Sequence, residues 1–310
     1  MSRIHEALRR AQLEREGGND PTGAVGSQPE VAAGPAAPPA AAPSGMALAS
    51  DDSVAATPCE PLTLALLRER CVASDWKPDP KSTLFAGSDD HTPGTEEFRT
   101  LRSRLYQIRE KQPLQTVLVA SALPAEGKTF VSLNLARAIA QQRGRSVLVI
   151  DGDLRLSRIH QMLGASLTPG LTEYLQGQVD ALAILQRGPQ DNLFLIPGGK
   201  PSANPIELVG TGRLKKLFDQ MTPIFDWIVL DSPPSVPVSD ASLLAPMCDG
   251  VLLVVQSGST PFDMAQKARH EFQDKHLLGV VLNRVPQGMA YPTQYYYYEY
   301  GKTASKNGKG

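Results

Sequence analysis

Six short, continuous runs of apolar residues limit what this chain can become. They read TVLVAS (116–121), SVLVI (146–150), NLFLIP (192–197), WIVL (227–230), GVLLVV (250–255) and LLGVVLN (277–283). Side chains alternate between the two faces of a strand, so a run that is apolar without alternation implies burial on both faces. Each run but the last is followed by a stretch of helical apolar spacing. Alternating strand and helix signals build a mostly parallel sheet between two layers of helices. The expectation is an α/β domain over residues 95–285, where the apolar residues of the 310-residue chain are concentrated.

The flanks read differently. Residues 1–16, MSRIHEALRRAQLERE, place Ile4, Leu8 and Ala11 at helical spacing among Arg3, Arg9, Arg10 and Arg15, an amphipathic helix that is either solvated or docked on a partner or membrane surface. Residues 17–60 are rich in Ala, Pro and Gly and cannot bury enough surface to offset chain entropy, so a disordered linker is expected. Residues 61–73 read as a second short helix ended by Lys77-Pro78-Asp79-Pro80, making 61–94 a helical arm and turn. A formal net charge of −1 gives no general drive toward nucleic acid. Cys59, Cys71 and Cys248 lack metal-ligand spacing and are odd in number, which fits a reducing cytoplasm. The first helix-like stretch is charged along its length and lacks the apolar core and cleavage signal of a secretory peptide, and no apolar run reaches the roughly 18 to 20 residues needed to cross a bilayer.

The chemistry begins directly after the first run. ALPAEGKT (122–129) fits GxxxxGK[ST] with Ala122 in place of the first glycine. In such a strand-to-helix turn the backbone N–H groups of Ala125, Glu126, Gly127, Lys128, Thr129 and Phe130 are candidates to face phosphate oxygens. Gly127 allows close approach, Lys128 supplies a mobile cation, and Thr129 supplies a hydroxyl for Mg²⁺. LVIDGDLR (148–155) delivers Asp151 and Asp153 at a strand end, where paired carboxylates repel unless solvated or neutralised by a metal. IVLDSPP (228–234) ends another strand on Asp231, a metal-orienting acid or a turn residue. Asn283, closing the last run, is either an adenine-recognising amide or a strand terminator.

Tyr291, Tyr295, Tyr296, Tyr297, Tyr298 and Tyr300 form the last unusual feature, six of the eight tyrosines in the chain. Four in succession cannot be sorted onto one buried face by a strand or a helix, so residues 286–310 read as a flexible tail that displays phenols.

Together ALPAEGKT, LVIDGDLR and IVLDSPP resemble the Walker A, A′ and B motifs of the bacterial tyrosine kinases, and the tyrosine cluster resembles their autophosphorylated tail. EEFRTLR (96–102) matches their ExxRxxR interface motif through Glu96, Arg99 and Arg102, and GGKPSANPIEL (198–208) and GVVLN (279–283) resemble further family segments. The opening MSRIHEAL is similar to the stand-alone kinases of exopolysaccharide loci in Gram-negative bacteria.

The resemblance implies a P-loop NTPase fold, ATP and Mg²⁺ as cofactors, and autophosphorylation between subunits of a ring-like homo-oligomer. It implies a cytoplasmic protein recruited to the inner face of the cell membrane by an adaptor of the chain-length-regulator type, and a cognate tyrosine phosphatase. On that reading Lys128 binds the β- and γ-phosphates, and Thr129 and Asp231 serve the metal. Asp151 is the candidate base and Asp153 a metal or supporting group, with the division between the two left open. The alternatives are a nucleotide-operated assembly switch and a positioning ATPase of the ParA or MinD type. Leu123, Pro124 and Ala125 in place of the lysine and glycines of the latter's loop argue against it.

Overall fold

A computed structural model of the chain describes residues 62–71, 74–80, 82–84, 94–238, 240–273 and 276–286. The expected amphipathic helix (1–16), the linker (17–60) and the tyrosine cluster (291–300) lie outside the described residues. The chain divides after Thr57, and every described residue belongs to the unit Pro58–Gly310.

The strands are β1 (Thr116–Ser121), β2 (Val147–Asp151), β3 (Gln186–Arg187), β4 (Leu193–Ile196), β5 (Trp227–Asp231), β6 (Gly250–Gln256) and β7 (Leu277–Asn283). The helices are α1 (Leu64–Arg70), α2 (Thr95–Arg109), α3 (Lys128–Ala140), α4 (Ile159–Leu163), α5 (Leu171–Leu175), α6 (Pro205–Gly210), α7 (Arg213–Met221), α8 (Asp240–Leu244) and α9 (Phe262–Glu271). The strands form one seven-stranded sheet in the order β3-β4-β2-β5-β1-β6-β7, parallel throughout except where the two-residue β3 runs antiparallel to β4.

Alternation within each apolar run sorts its side chains into two cores. Leu118, Ala120, Leu148, Ile150, Phe194, Ile228, Leu230 and Leu253 enter one, capped by residues of α1, α5, α7 and α9. Val117, Val119, Val149, Leu195, Trp227, Val229 and Val254 enter the other, under α2 and α3. Helix α3 lies between the sheet and α2, and ten successive residues from Val131 to Ala140 are buried, as a helix covered on both sides requires.

Of the stretch read as a helical arm and turn, Leu67 and Cys71 are buried in the first core and Trp76 in the second. One expectation is corrected: β7 is not buried on both faces. It is an edge strand paired only with β6 among the described strands, and Val280 and Leu282 are each 56% exposed.

Candidate active site

Sheet register assembles the site. Asp151 on β2 and Asp231 on β5 are paired across the ladder, and Val119 on β1 sits beside Asp231. The carboxyl ends of three central strands therefore bring both acids beneath the loop that follows β1. That is the end of a parallel sheet at which ligands bind.

The loop itself is set by two residues with positive φ, Ala125 at 64° and Gly127 at 94°. Gly127 needs its missing side chain, because a Cβ there would lie 2.1 Å from Asn283 Nδ2. Glu126 is buried and braces the loop: Leu123 N donates to its Oε2 at 2.7 Å, and the Thr260 hydroxyl donates to its Oε1. Asn283 Nδ2 donates to the Glu126 carbonyl at 2.8 Å. The amide proposed for adenine thus holds the phosphate loop from the end of β7.

Lys128 opens α3 and reaches toward the acids, with Nζ 3.4 Å from Asp153 Oδ2 and 3.5 Å from Thr129 Oγ1. Thr129 donates to Asp231 Oδ2 at 2.7 Å. The Ser132 hydroxyl, one turn further on, lies 2.9 Å from Asp231 Oδ1 and 3.0 Å from the Lys128 carbonyl, and its single proton serves one of the two. Ser132 carried no separate sequence signal, although its position four residues after Lys128 puts it on the same helix face.

Asp151 is fully buried and takes four donors. Ser157 Oγ (2.7 Å), Arg158 N (3.0 Å) and Ile159 N (3.1 Å) meet Oδ2, while Asp153 N meets Oδ1 at 3.2 Å. The Oδ2 contacts satisfy the free amides at the start of α4. Asp153 accepts from Leu156 N at 3.0 Å, and Arg155 pairs with Asp240 at 2.8 Å on the exposed side of the same loop.

Burial drives the electrostatics. It raises the pKa of Asp231 to about 7 against the opposing pull of Lys128, and it raises that of Asp151 against its hydrogen bonds. For Lys128, burial favours the neutral amine, but Asp231, Asp153 and Asp151 outweigh it and its affinity for the proton rises. A cation held among three acids and two hydroxyls is the arrangement that phosphate charge and a hard metal would complete. Among the described residues no set of three or more His, Cys, Asp or Glu could hold a metal alone. The donors present suit Mg²⁺, which takes one or two carboxylates, a hydroxyl, waters and phosphate oxygens in preference to an all-protein cage.

Four of the expected site residues make contacts of their own within the fold. The Phe130 ring packs edge-on to Phe98 of α2 with centroids 6.0 Å apart, so only its backbone is turned to the loop. Glu96 and Arg99 form an i,i+3 ion pair on α2, with Glu96 64% exposed. Arg102 turns inward, and its Nη1 donates to the Ala138 carbonyl at 2.5 Å near the end of α3, leaving less of it for a neighbour than the spacing suggests. No helix among the described residues is long and apolar enough to cross a membrane.

Comparison with known proteins agrees with this geometry. Residues 117–266 match the family described as AAA domain. The chain is 31% identical over 202 residues to tyrosine-protein kinase YwqD of Bacillus subtilis (strain 168), covering 64% of this chain and 85% of the relative. It is 34% identical over 216 residues to tyrosine-protein kinase CpsD of Streptococcus agalactiae, covering 68% and 92% respectively. The solved kinase domain of Escherichia coli tyrosine kinase ETK aligns with a TM-score of 0.61 at 28% identity, over 66% of this chain and 81% of that one. The chain belongs to the bacterial tyrosine-protein kinases, nucleotide-binding enzymes of the P-loop NTPase fold.

Proposed function

We propose that this kinase uses ATP to phosphorylate its own tyrosine cluster, Tyr291, Tyr295, Tyr296, Tyr297, Tyr298 and Tyr300, between subunits, and so regulates exopolysaccharide synthesis or export. The observation that supports this best is the convergence of Lys128, Thr129, Asp231, Asp153 and Asp151 at the carboxyl ends of β1, β2 and β5. Phosphoryl transfer is chiefly positioning and charge stabilisation, which this constellation supplies. Backbone amides from Ala125 to Phe130 cradle the phosphates, and Lys128 neutralises the β- and γ-phosphates. Thr129 and Asp231 would hold Mg²⁺, with Asp153 as a further oxygen donor. Bound there, the metal would offset the charge of the transferring group.

Asp151 takes the phenolic proton. Its Oδ1 carries one donor at 3.2 Å and retains a lone pair, and burial holds its proton affinity above the usual carboxylate range, which suits a base working near neutral pH. As the phenol oxygen bonds to the γ-phosphorus, the bond to the ADP oxygen breaks and ADP leaves. The exposed Glu96 and the α2 surface around it supply the contact between copies in a ring. A membrane adaptor of the chain-length-regulator type recruits the protein to the inner face of the membrane, and a tyrosine phosphatase resets the tail.

Phosphopeptide mass spectrometry of the purified protein after incubation with Mg-ATP tests this reading. Phosphate on the tail tyrosines is the expected result. ATP turnover with an unmodified tail would replace the proposal with a nucleotide-operated assembly switch.

A further inference from the structure

The A′ loop carries a hydroxyl with more work than a turn requires. Ser157 Oγ makes the shortest contact of Asp151, 2.7 Å to Oδ2. Its one proton is committed there, so the oxygen acts as acceptor toward its other neighbours. One is Gly198 N at 3.3 Å, and another is His160 Nδ1 at 3.4 Å, a contact that counts when that nitrogen carries a hydrogen. Gly198 is itself fixed from behind, since Thr172 donates to its carbonyl through both N at 3.0 Å and Oγ1 at 2.8 Å. Glu173 completes the clamp by accepting from Gly170 N at 2.8 Å and Lys200 N at 3.1 Å. Among the described residues Ser157 is thus the single side chain through which the loop after β4, held by α5, reaches the Asp151 carboxylate.

An independent observation points the same way. A Cβ built on Gly198 would lie 2.8 Å from Ser157 Cβ and 2.9 Å from Ser157 Oγ. Glycine at 198 is what lets the two loops close far enough for the hydroxyl to reach Asp151.

We propose that Ser157 is a positioning residue for the phosphoryl transfer, locking the Asp151 carboxylate so that Oδ1 faces the acceptor phenol, and that Gly198 serves the reaction by leaving room for that lock. The inference rests on the assignment of Asp151 as proton acceptor. Without Ser157, Arg158 N and Ile159 N still hold Oδ2, but the carboxylate loses its tether to the loop after β4. Small misplacements of a reacting group lower the rate of the chemical step more than they lower substrate affinity.

The test measures tail phosphorylation by the full-length protein over a range of Mg-ATP concentrations. Ser157→Ala should lower the maximal rate by about tenfold, with the KM for ATP within about twofold and a cooperative thermal transition still present. Gly198→Ala should reproduce the loss of rate. A Ser157→Ala enzyme with the wild-type maximal rate, or one whose defect lies in the KM for ATP, would overturn the positioning role. Asp151→Asn measured alongside separates the two claims: an active Asp151→Asn removes the base assignment, whereas an inactive Asp151→Asn beside a fully active Ser157→Ala removes only the part given to Ser157.

Discussion

Strands β5 and β7 are written in nearly the same apolar alphabet, yet one is the floor of the candidate active site and the other a half-open edge. Every residue of β5 from Trp227 to Asp231 is buried, whereas Val280 and Leu282 of β7 stand 56% exposed. The difference is the number of neighbours. Strand β5 has β1 on one side and β2 on the other, so its terminal acid is desolvated and answers to Lys128. Strand β7 has β6 alone among the described strands, and Asn283 at its end instead holds the loop that follows β1. Continuous apolarity shows that a strand belongs to the sheet; its place in the sheet decides whether its last residue meets water or a buried charge.

The largest expected effect separates centre from edge outright. Leu118→Asp on β1 buries an unpaired carboxylate at a site with no exposure and should cost more than about 4 kcal/mol, leaving no cooperative unfolding transition in urea. Leu282→Asp should cost less than about 1 kcal/mol by the same measurement. A comparable loss at both would mean that the β7 face is covered. Next comes the centre's chemistry. Lys128→Met should reduce tail phosphotyrosine by about a thousandfold or more while far-ultraviolet circular dichroism stays that of the folded protein. Undiminished phosphotyrosine would remove Lys128 from the site.

A smaller effect is the pH response of the central acids. Asp231 titrates at about 7 in the folded protein, against a value near 4 for an unfolded chain. Between those limits the native state binds more protons than the unfolded state, so the stability of the nucleotide-free protein falls as pH rises through that window. Asp231→Asn should flatten that dependence in thermal melts taken from pH 4 to pH 8; an unchanged slope would show that the carboxylate is ionised throughout. The smallest effect lies on α2. Arg102→Ala removes the donor to the Ala138 carbonyl and should cost about 1 kcal/mol in urea unfolding.

Much of this was legible in the chain. TVLVAS and LLGVVLN became β1 and β7 with the bounds read from sequence. Strand ends and glycine loops leave local marks, which is why Lys128, Thr129 and the acids stand out as candidates in the sequence. What sequence does not carry is adjacency between strands distant along the chain: nothing in LVID or IVLD says that Asp151 and Asp231 are ladder partners. Ser157 and Thr260 are ordinary loop hydroxyls until the fold sets them against Asp151 and Glu126. Strand β3 is two residues long, below any period, and Trp76 follows a gap of weak pattern although it is buried.

The aromatic contact beneath α2 gives the enzyme a built-in optical probe. The chain has two tryptophans, Trp76 and Trp227. The Trp227 indole N–H donates to the Tyr106 hydroxyl at 3.1 Å, its ring meets that of Tyr106 edge-on at 5.3 Å, and the Arg109 guanidinium lies 4.9 Å above it. All three contacts come from α2, the helix whose outer surface carries Glu96 and Arg99. In a Trp76→Phe background, intrinsic emission would come from Trp227 alone. Its wavelength and quenching would then follow the seating of α2 on the sheet in real time, with no label attached.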